Sequence, residues 1–255
     1  NEFRSWENSL EYMYKVLNDT EIPDNSGVAI EYNIPNTSKR GDFILSGYGE
    51  QRDPNVVIIE LKQWDKVEAV EGQDALVETY TGGAVRKVVH PSYQAWSYAA
   101  MIYDYNQNVQ MGNIILHPCA YMHNYRKGNP EKLEQDQYKE YVEDAPVFAR
   151  GEVSKLREFI KKAVKIGDNK QLLYDIDNGK IKQDSIKSMI EGNQEFIMLD
   201  EQKVVYEEIL KIALKCMTDQ KKRTVVVKGG PGTGKTVVAI NLLAKLTNKG
   251  IFAQY

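Results

Sequence analysis

Apolar and polar residues alternate with two different periods along this chain. The opening segment, "NEFRSWENSLEYMYKVL", reads as an amphipathic helix over about 5–17. Turn residues "DNSG" follow, and then come three strand candidates: "VAIEYNIP" (28–35), "GDFILSG" (41–47) and "NVVIIELKQW" (55–64). Val56, Val57, Ile58 and Ile59 form a β-branched run, the composition of a well-buried strand. Gly47, Gly49 and the "RDPN" turn separate the second strand from the third. A mostly polar stretch, 65–87, leads into "VVHP". Residues 91–106 then predict a helix, with Trp96, Ala99, Ala100 and Tyr103 at helical spacing. "NIILHPCAYM" (113–122) predicts another strand, and "APVFAR" (145–150) is a candidate for a last one. Helix, three strands, helix, strand is an α/β order.

Beyond it, a charged amphipathic helix over 152–164 begins a helical connector. "YDIDNGKIKQDSIKSMI" predicts a turn and then a helix. Its "DIDNG" is similar to a calcium loop, but the glycine register is off by one and no glutamate closes it, so a plain turn is the better account. A second α/β unit starts near Glu195: a helix over 200–217, the strand "TVVVK" (224–228), a Gly-rich loop, a helix over 236–247 and a strand "IFAQY" (251–255). The expected division is therefore 1–165, a connector 166–194, and 195–255.

Composition narrows the class. With 42% hydrophobic and 27% charged residues the chain is globular. No stretch approaches the roughly 20 apolar residues of a membrane span, and the N-terminal segment lacks a charged-then-apolar signal architecture. Cys119 and Cys216 lie far apart and make no disulfide framework. A cytoplasmic protein without membrane association is expected. A net charge of −3, from 33 basic and 36 acidic residues, argues against a dedicated basic glove for nucleic acid, though not against a local basic patch.

The third strand candidate carries the first chemistry. Glu60 and Lys62 extend the buried run two positions apart, and such residues share one face of a strand. They make either a salt bridge at a strand end or a reaction centre. Asp42 begins the second strand, and a hairpin between adjacent strands brings it toward Glu60. Phosphodiester hydrolysis needs a metal to neutralise phosphoryl oxygens and lower the pKa of an attacking water. Asp42 and Glu60 are hard oxygen ligands that suit Mg²⁺ or Mn²⁺, with the backbone carbonyl of Leu61 as a further ligand. Lys62 can orient the water and stabilise developing negative charge.

This D…E-x-K arrangement of Asp42, Glu60 and Lys62 resembles the PD-(D/E)XK nuclease signature, with Gly41 where that family often has proline. The following "QAWSY" places Gln94 and Tyr98 four apart and resembles the Q-x-x-x-Y element of the RecB-like branch. The resemblance implies a mixed sheet flanked by helices, a catalytic set of Asp42, Glu60, Lys62, Gln94 and Tyr98, and a glutamate on the first helix. Glu7 matches that last place best, with Glu11 behind it. A rival metal site would use His117, Cys119 and His123, which share one strand parity. Pro118 interrupts them and no fourth ligand is well spaced, so a half-buried strand explains them better. His90, before Pro91, reads as a turn residue.

"GGPGTGKT" (229–236) carries the second chemistry. It fits G-x-x-x-x-G-K-T between a β-branched segment and a helix, the context of a phosphate-binding loop. Backbone amides around Gly229, Gly230, Gly232, Thr233 and Gly234 would face the phosphates of ATP. Lys235 would reach the β- and γ-phosphates, and Thr236 would hold Mg²⁺. Upstream, "FIMLDEQKVVYEEIL" resembles the Q-motif region of superfamily 1 helicases, which implies that Gln202 reads the adenine edge. Residues 195–255 resemble the start of a Schlafen-like bacterial helicase, and 1–165 a nuclease module fused to some of them. The resemblance implies a Mg-dependent nuclease acting on nucleic acid, DNA before RNA, joined to an ATP-binding motor and used in DNA processing or defence. The sequence breaks off soon after the phosphate loop, so weak nucleotide binding, lost without Lys235, and negligible ATP turnover are expected. An inactive nuclease-like module that positions nucleic acid for the ATPase is the alternative. The metal site of the nuclease is expected to be built from residues before Glu152, so that cleavage would survive loss of Lys235.

Overall fold

The computed structural model describes residues 2–34, 37–128, 130–180 and 196–254. Helix α1 (Glu2–Leu17) precedes strands β1 (Gly27–Asn33), β2 (Arg40–Tyr48) and β3 (Pro54–Lys62). A small sheet of β4 (Glu68–Ala69), β5 (Leu76–Thr81) and β6 (Ala84–Val89) comes next, then α2 (Pro91–Tyr105), α3 (Gln107–Met111) and β7 (Ile115–Met122). The first unit continues with α4 (Lys139–Asp144), β8 (Val147–Ala149), α5 (Val153–Ala163), β9 (Ile166–Gly167) and α6 (Gln171–Asp177). Two long helices follow, α7 (Glu201–Asp219) and α8 (Lys235–Asn248).

The main sheet runs β1-β2-β3-β7-β8, with β9 paired to β2 beyond the end of β1. β1, β2 and β3 are antiparallel neighbours, whereas β3, β7 and β8 are parallel, so the sheet is mixed. Strand parity sorts the core into two layers. Phe43, Leu45, Val57 and Ile59 pack beneath α1 and α5, against Met13, Val16, Leu156 and Ile160. Ile44, Val56 and Ile58 pack on the other face against Tyr98, Ala99 and Ile102 of α2, with Leu172, Leu173 and Ile176 of α6. The fold is thus α/β, a mixed sheet flanked by helices, followed by the start of a P-loop domain. Residues 166–177, read as connector, add a strand and a helix to this first unit.

Several expectations are corrected. The polar stretch 65–87 holds the β4-β5-β6 sheet, whose β5–β6 hairpin turns at Gly82 and Gly83 with φ of 57° and 82°. Both are left-handed, as a tight two-residue hairpin turn requires. On α2 the buried residues include Ala95, Tyr98, Ala99, Met101 and Ile102, while Tyr103 is 50% exposed. The face toward the sheet therefore lies to one side of the expected Trp96–Tyr103 stripe. Segment 224–228 is not a strand, nor is 251–254. Val226 is 72% exposed. A β-branched run becomes a strand only where another backbone hydrogen-bonds with it, and no described strand lies alongside. The "DIDNG" turn begins within α6, and the helix expected after it lies outside the described residues.

Candidate functional site

The β2–β3 register brings the acidic residues together. Phe43 pairs with Ile59, so the next antiparallel step sets Asp42 across from Glu60, on the face that packs against α2. Leu61 donates its backbone N–H to Asp42 Oδ2 at 2.8 Å, which fixes that carboxylate at the strand end. Lys62 Nζ donates to Glu60 Oε1 at 2.6 Å and lies 5.4 Å from the centre of the Trp64 ring. Glu60 is only 2% exposed, and its Oε2 is buried without a hydrogen-bond partner. Burial, then the charge of Asp42, push the Glu60 carboxyl well above the usual carboxylate range, against the pull of Lys62. Burial would lower Lys62, but Glu60, Asp42 and Asp200 together raise it above the ordinary lysine value.

From α2, Gln94 Nε2 donates to the Tyr98 hydroxyl at 2.9 Å, and the hydroxyl donates to Asp200 Oδ2 at 3.1 Å. The two residues expected to share one helical face do so, and Gln94 lines a cavity of about 550 Å³ with Lys62, Trp64, Arg86 and Asp200. Glu7 is different. It is exposed on α1, the helix against the opposite face of the sheet, and no contact joins it to Asp42, Glu60 or Lys62. Glu11 pairs with Lys15 instead.

Asp200 joins this group from far along the chain, outside the D…E-x-K and Q-x-x-x-Y residues. It stands just ahead of α7, where a side chain commonly caps its own helix. Here it makes no cap hydrogen bond, and its backbone takes φ 43° and ψ −109°. Its Oδ2 also meets Lys39 Nζ at 2.9 Å, and its Oδ1 is buried without a partner. The sequence signals a cap residue there; nothing in it says that the side chain reaches α2. Asp200 adds a carboxylate from beyond Glu152 to the surroundings of Asp42, Glu60 and Lys62, which all precede Glu152.

A divalent cation suits part of this chemistry. The orphaned Glu60 Oε2 is an acceptor lacking a positive partner, and Asp42 lies across from it. Among the described residues no group of three His, Cys, Asp or Glu is arranged to hold a metal. Mg²⁺ commonly uses one or two carboxylates and keeps several waters, which Asp42 and Glu60 can provide for. The rival set does not assemble: His117 Nε2 bonds Asn55 Oδ1 at 2.7 Å, Cys119 is buried in the α1–α5 core, and His123 Nε2 meets Ser9 Oγ at 3.1 Å. His90 is more than a turn residue. Its Nδ1 accepts from the Ser92 amide at 3.1 Å, so it caps α2, and Nε2 then donates to the Leu133 carbonyl at 3.0 Å.

At the phosphate-loop sequence, Gly232 and Gly234 have φ of 74° and 79°, conformations that favour glycine. Lys235 Nζ folds back to the carbonyls of Gly229 and Gly230 at 2.9 and 2.6 Å. Thr236 is exposed on the first turn of α8. Gln202 spans two elements: its Oε1 accepts from the Leu199 amide at 3.1 Å, and its Nε2 donates to the Thr233 carbonyl at 3.2 Å. A cavity of about 560 Å³ opens beside the loop, lined by Gly229, Lys235, Gln202, Lys39 and Tyr105. This loop thus borders the first unit.

Comparison with known proteins gives a finding at this second site. The family model described as "Schlafen group 3, DNA/RNA helicase domain" matches residues 222–255. That part of the chain is similar to a Schlafen-type, helicase-related region. No curated protein and no solved structure matches the chain. No helix among the described residues is long and apolar enough to cross a membrane.

Proposed function

We propose that this chain couples a metal-dependent nuclease site, made by Asp42, Glu60 and Lys62, to an ATP-binding helicase-like region that begins near Glu195. One observation carries the reading: a buried Glu60 with an orphaned oxygen stands across from Asp42 and beside Lys62, on the face that Gln94 and Tyr98 overlook. Mg²⁺ or Mn²⁺, held by Asp42, Glu60 and the Leu61 carbonyl, would supply charge neutralisation and an activated water. Lys62 carries a proton and so stabilises negative charge growing on phosphoryl oxygens. Gln94 and Tyr98 orient groups at the cleft wall, and Arg86 on the cavity rim suits a phosphate of the bound strand. DNA is the preferred substrate, in DNA processing or in defence against foreign DNA. In the second region Lys235, Thr236 and the loop amides around Gly229, Gly230, Gly232, Thr233 and Gly234 hold ATP with Mg²⁺, and Gln202 reads its base.

A second reading draws on the same close Lys62–Glu60 contact, which a purely structural ion pair would also show. The first unit would then only position nucleic acid for the ATPase. Incubating the protein with labelled DNA and, separately, RNA in Mg²⁺ or Mn²⁺ tests the choice. Cleavage lost in Asp42→Ala supports the nuclease. Tight binding with no cleavage in the unmutated protein supports the inactive module.

A further inference from the structure

The two candidate sites meet along one short stretch, residues 199–202. Leu199 is buried in the core that includes Tyr98. Asp200 receives Tyr98 and Lys39 on one carboxylate oxygen, while the other is buried and unpartnered. Two residues later Gln202 grips both the Leu199 amide and the Thr233 carbonyl of the phosphate loop. A Cβ built on Gly234 would come within 2.2 Å of Gln202 Nε2, so loop and glutamine are packed in contact. Immediately before the stretch, Tyr93 donates its hydroxyl to the Met198 carbonyl at 2.6 Å, anchoring it to α2 a second time.

We propose that residues 199–202 couple the two sites: Asp200 is a positioning residue that sets the Gln94–Tyr98 pair against Glu60 and Lys62, and Gln202 makes its position depend on what the phosphate loop holds. Phosphate entering the loop competes for Lys235 Nζ, now on the carbonyls of Gly229 and Gly230. The loop then rearranges around Thr233, whose carbonyl is the partner of Gln202. Little in the stretch can absorb that change. Leu199 is locked in the core, and Asp200 already holds a backbone conformation that L residues rarely adopt. The shift therefore reaches Tyr98. Coupling of this kind is reciprocal, so a change at Tyr98 alters nucleotide affinity. The positioning half rests on the nuclease reading; the coupling half does not.

The test titrates a fluorescent ADP analogue, mant-ADP, into the whole chain. Tyr98→Phe touches no loop residue, yet should shift the mant-ADP Kd by about fivefold or more. Asp200→Asn keeps an oxygen to accept from Tyr98 and should shift it less than Asp200→Ala. Tyr125→Phe, which loses a hydrogen bond to Glu131 elsewhere, should leave it unchanged. In parallel, cleavage of a labelled DNA oligonucleotide with Mn²⁺ should show kcat reduced roughly tenfold in Asp200→Ala at nearly constant KM, and largely restored in Asp200→Asn. Circular dichroism and thermal unfolding establish that each variant is folded. An unchanged Kd in folded Tyr98→Phe, or no mant-ADP binding at all, overturns the coupling. Full cleavage by Asp200→Ala overturns the positioning role. An unmutated protein that never cuts removes the nuclease reading and that role together, while a shifted Kd still upholds the coupling.

Discussion

The Tyr98 hydroxyl donates to Asp200 Oδ2 across 3.1 Å, joining residues 102 positions apart in the chain. Tyr98 is 2% exposed, and its oxygen also accepts from Gln94. Tyr98→Phe removes both contacts at once and leaves the ring packing intact. A loss of about 1–3 kcal/mol is expected, the range for leaving buried polar groups unsatisfied. Urea unfolding of the variant beside the unmutated protein measures it, and a change below the error of the fit would show that the contact is not formed.

Lys62→Ala and Asp42→Ala should both abolish metal-dependent cleavage, but they should differ in stability. Glu60 is buried with Lys62 as its close partner, so removing the lysine strands a buried carboxyl. Breaking a buried pair costs up to about 3–5 kcal/mol, and less where the stranded carboxyl takes up a proton, as burial and Asp42 favour here. Asp42 is only half-buried, and its loss should be milder. Equal melting temperatures for the two variants would contradict the burial of the pair.

Glu60→Gln isolates a pH effect. The Glu60 carboxyl lies well above 4.5 in the fold, so between 4.5 and its folded value the native state binds the extra proton. Its contribution to stability is complete below 4.5 and is lost as pH rises. The stability of Glu60→Gln relative to the unmutated protein should therefore increase from pH 5 to pH 8. Denaturant curves at both pH values read the difference. Saturating Mn²⁺ should shrink it, because metal binding to a carboxyl displaces the proton. A difference that is independent of pH rejects the raised carboxyl.

His90 should act in the opposite direction. Burial drives its pKa down from 6.5 to about 3, although the Leu133 hydrogen bond opposes this. The unfolded chain takes up the proton first on acidification, so His90 subtracts stability as pH falls from about 6.5 toward 3. His90→Asn retains a capping side chain for Ser92 and should flatten the acid limb of the stability curve. An unchanged limb would place the acid sensitivity elsewhere.

Gly234→Ala should disable the phosphate loop more thoroughly than Lys235→Ala. The alanine would need φ of 79° and would press its Cβ on Gln202. Both variants should lose mant-ADP binding. Only Gly234→Ala should also lower the melting temperature, since Lys235 is exposed and holds no core. Normal nucleotide affinity in Gly234→Ala would mean that the loop tolerates a different path.

Local pattern alone determined much of this protein. Short apolar runs located β2, β3 and β7, with a β-branched one in β3, because a strand's burial is written in consecutive side chains. Parity by itself placed Glu60 and Lys62 on one face, and helical spacing placed Gln94 with Tyr98. The phosphate-loop sequence was legible because its glycines encode left-handed backbone at fixed offsets. Tertiary structure decided the remainder. It put Glu7 with α1 against the other face of the sheet, since a helix's own pattern does not say which layer it joins. It built the β4-β5-β6 sheet from a polar stretch whose Gly82–Gly83 turn was the one local sign. It left the valines of 224–228 without a strand, because pairing needs a neighbour that propensity cannot supply. Above all it brought Asp200 to Tyr98 and Gln202 to Thr233, contacts 102 and 31 positions apart. Side-chain hydrogen bonds at such separations depend on how whole layers pack, and no periodicity in the chain records that.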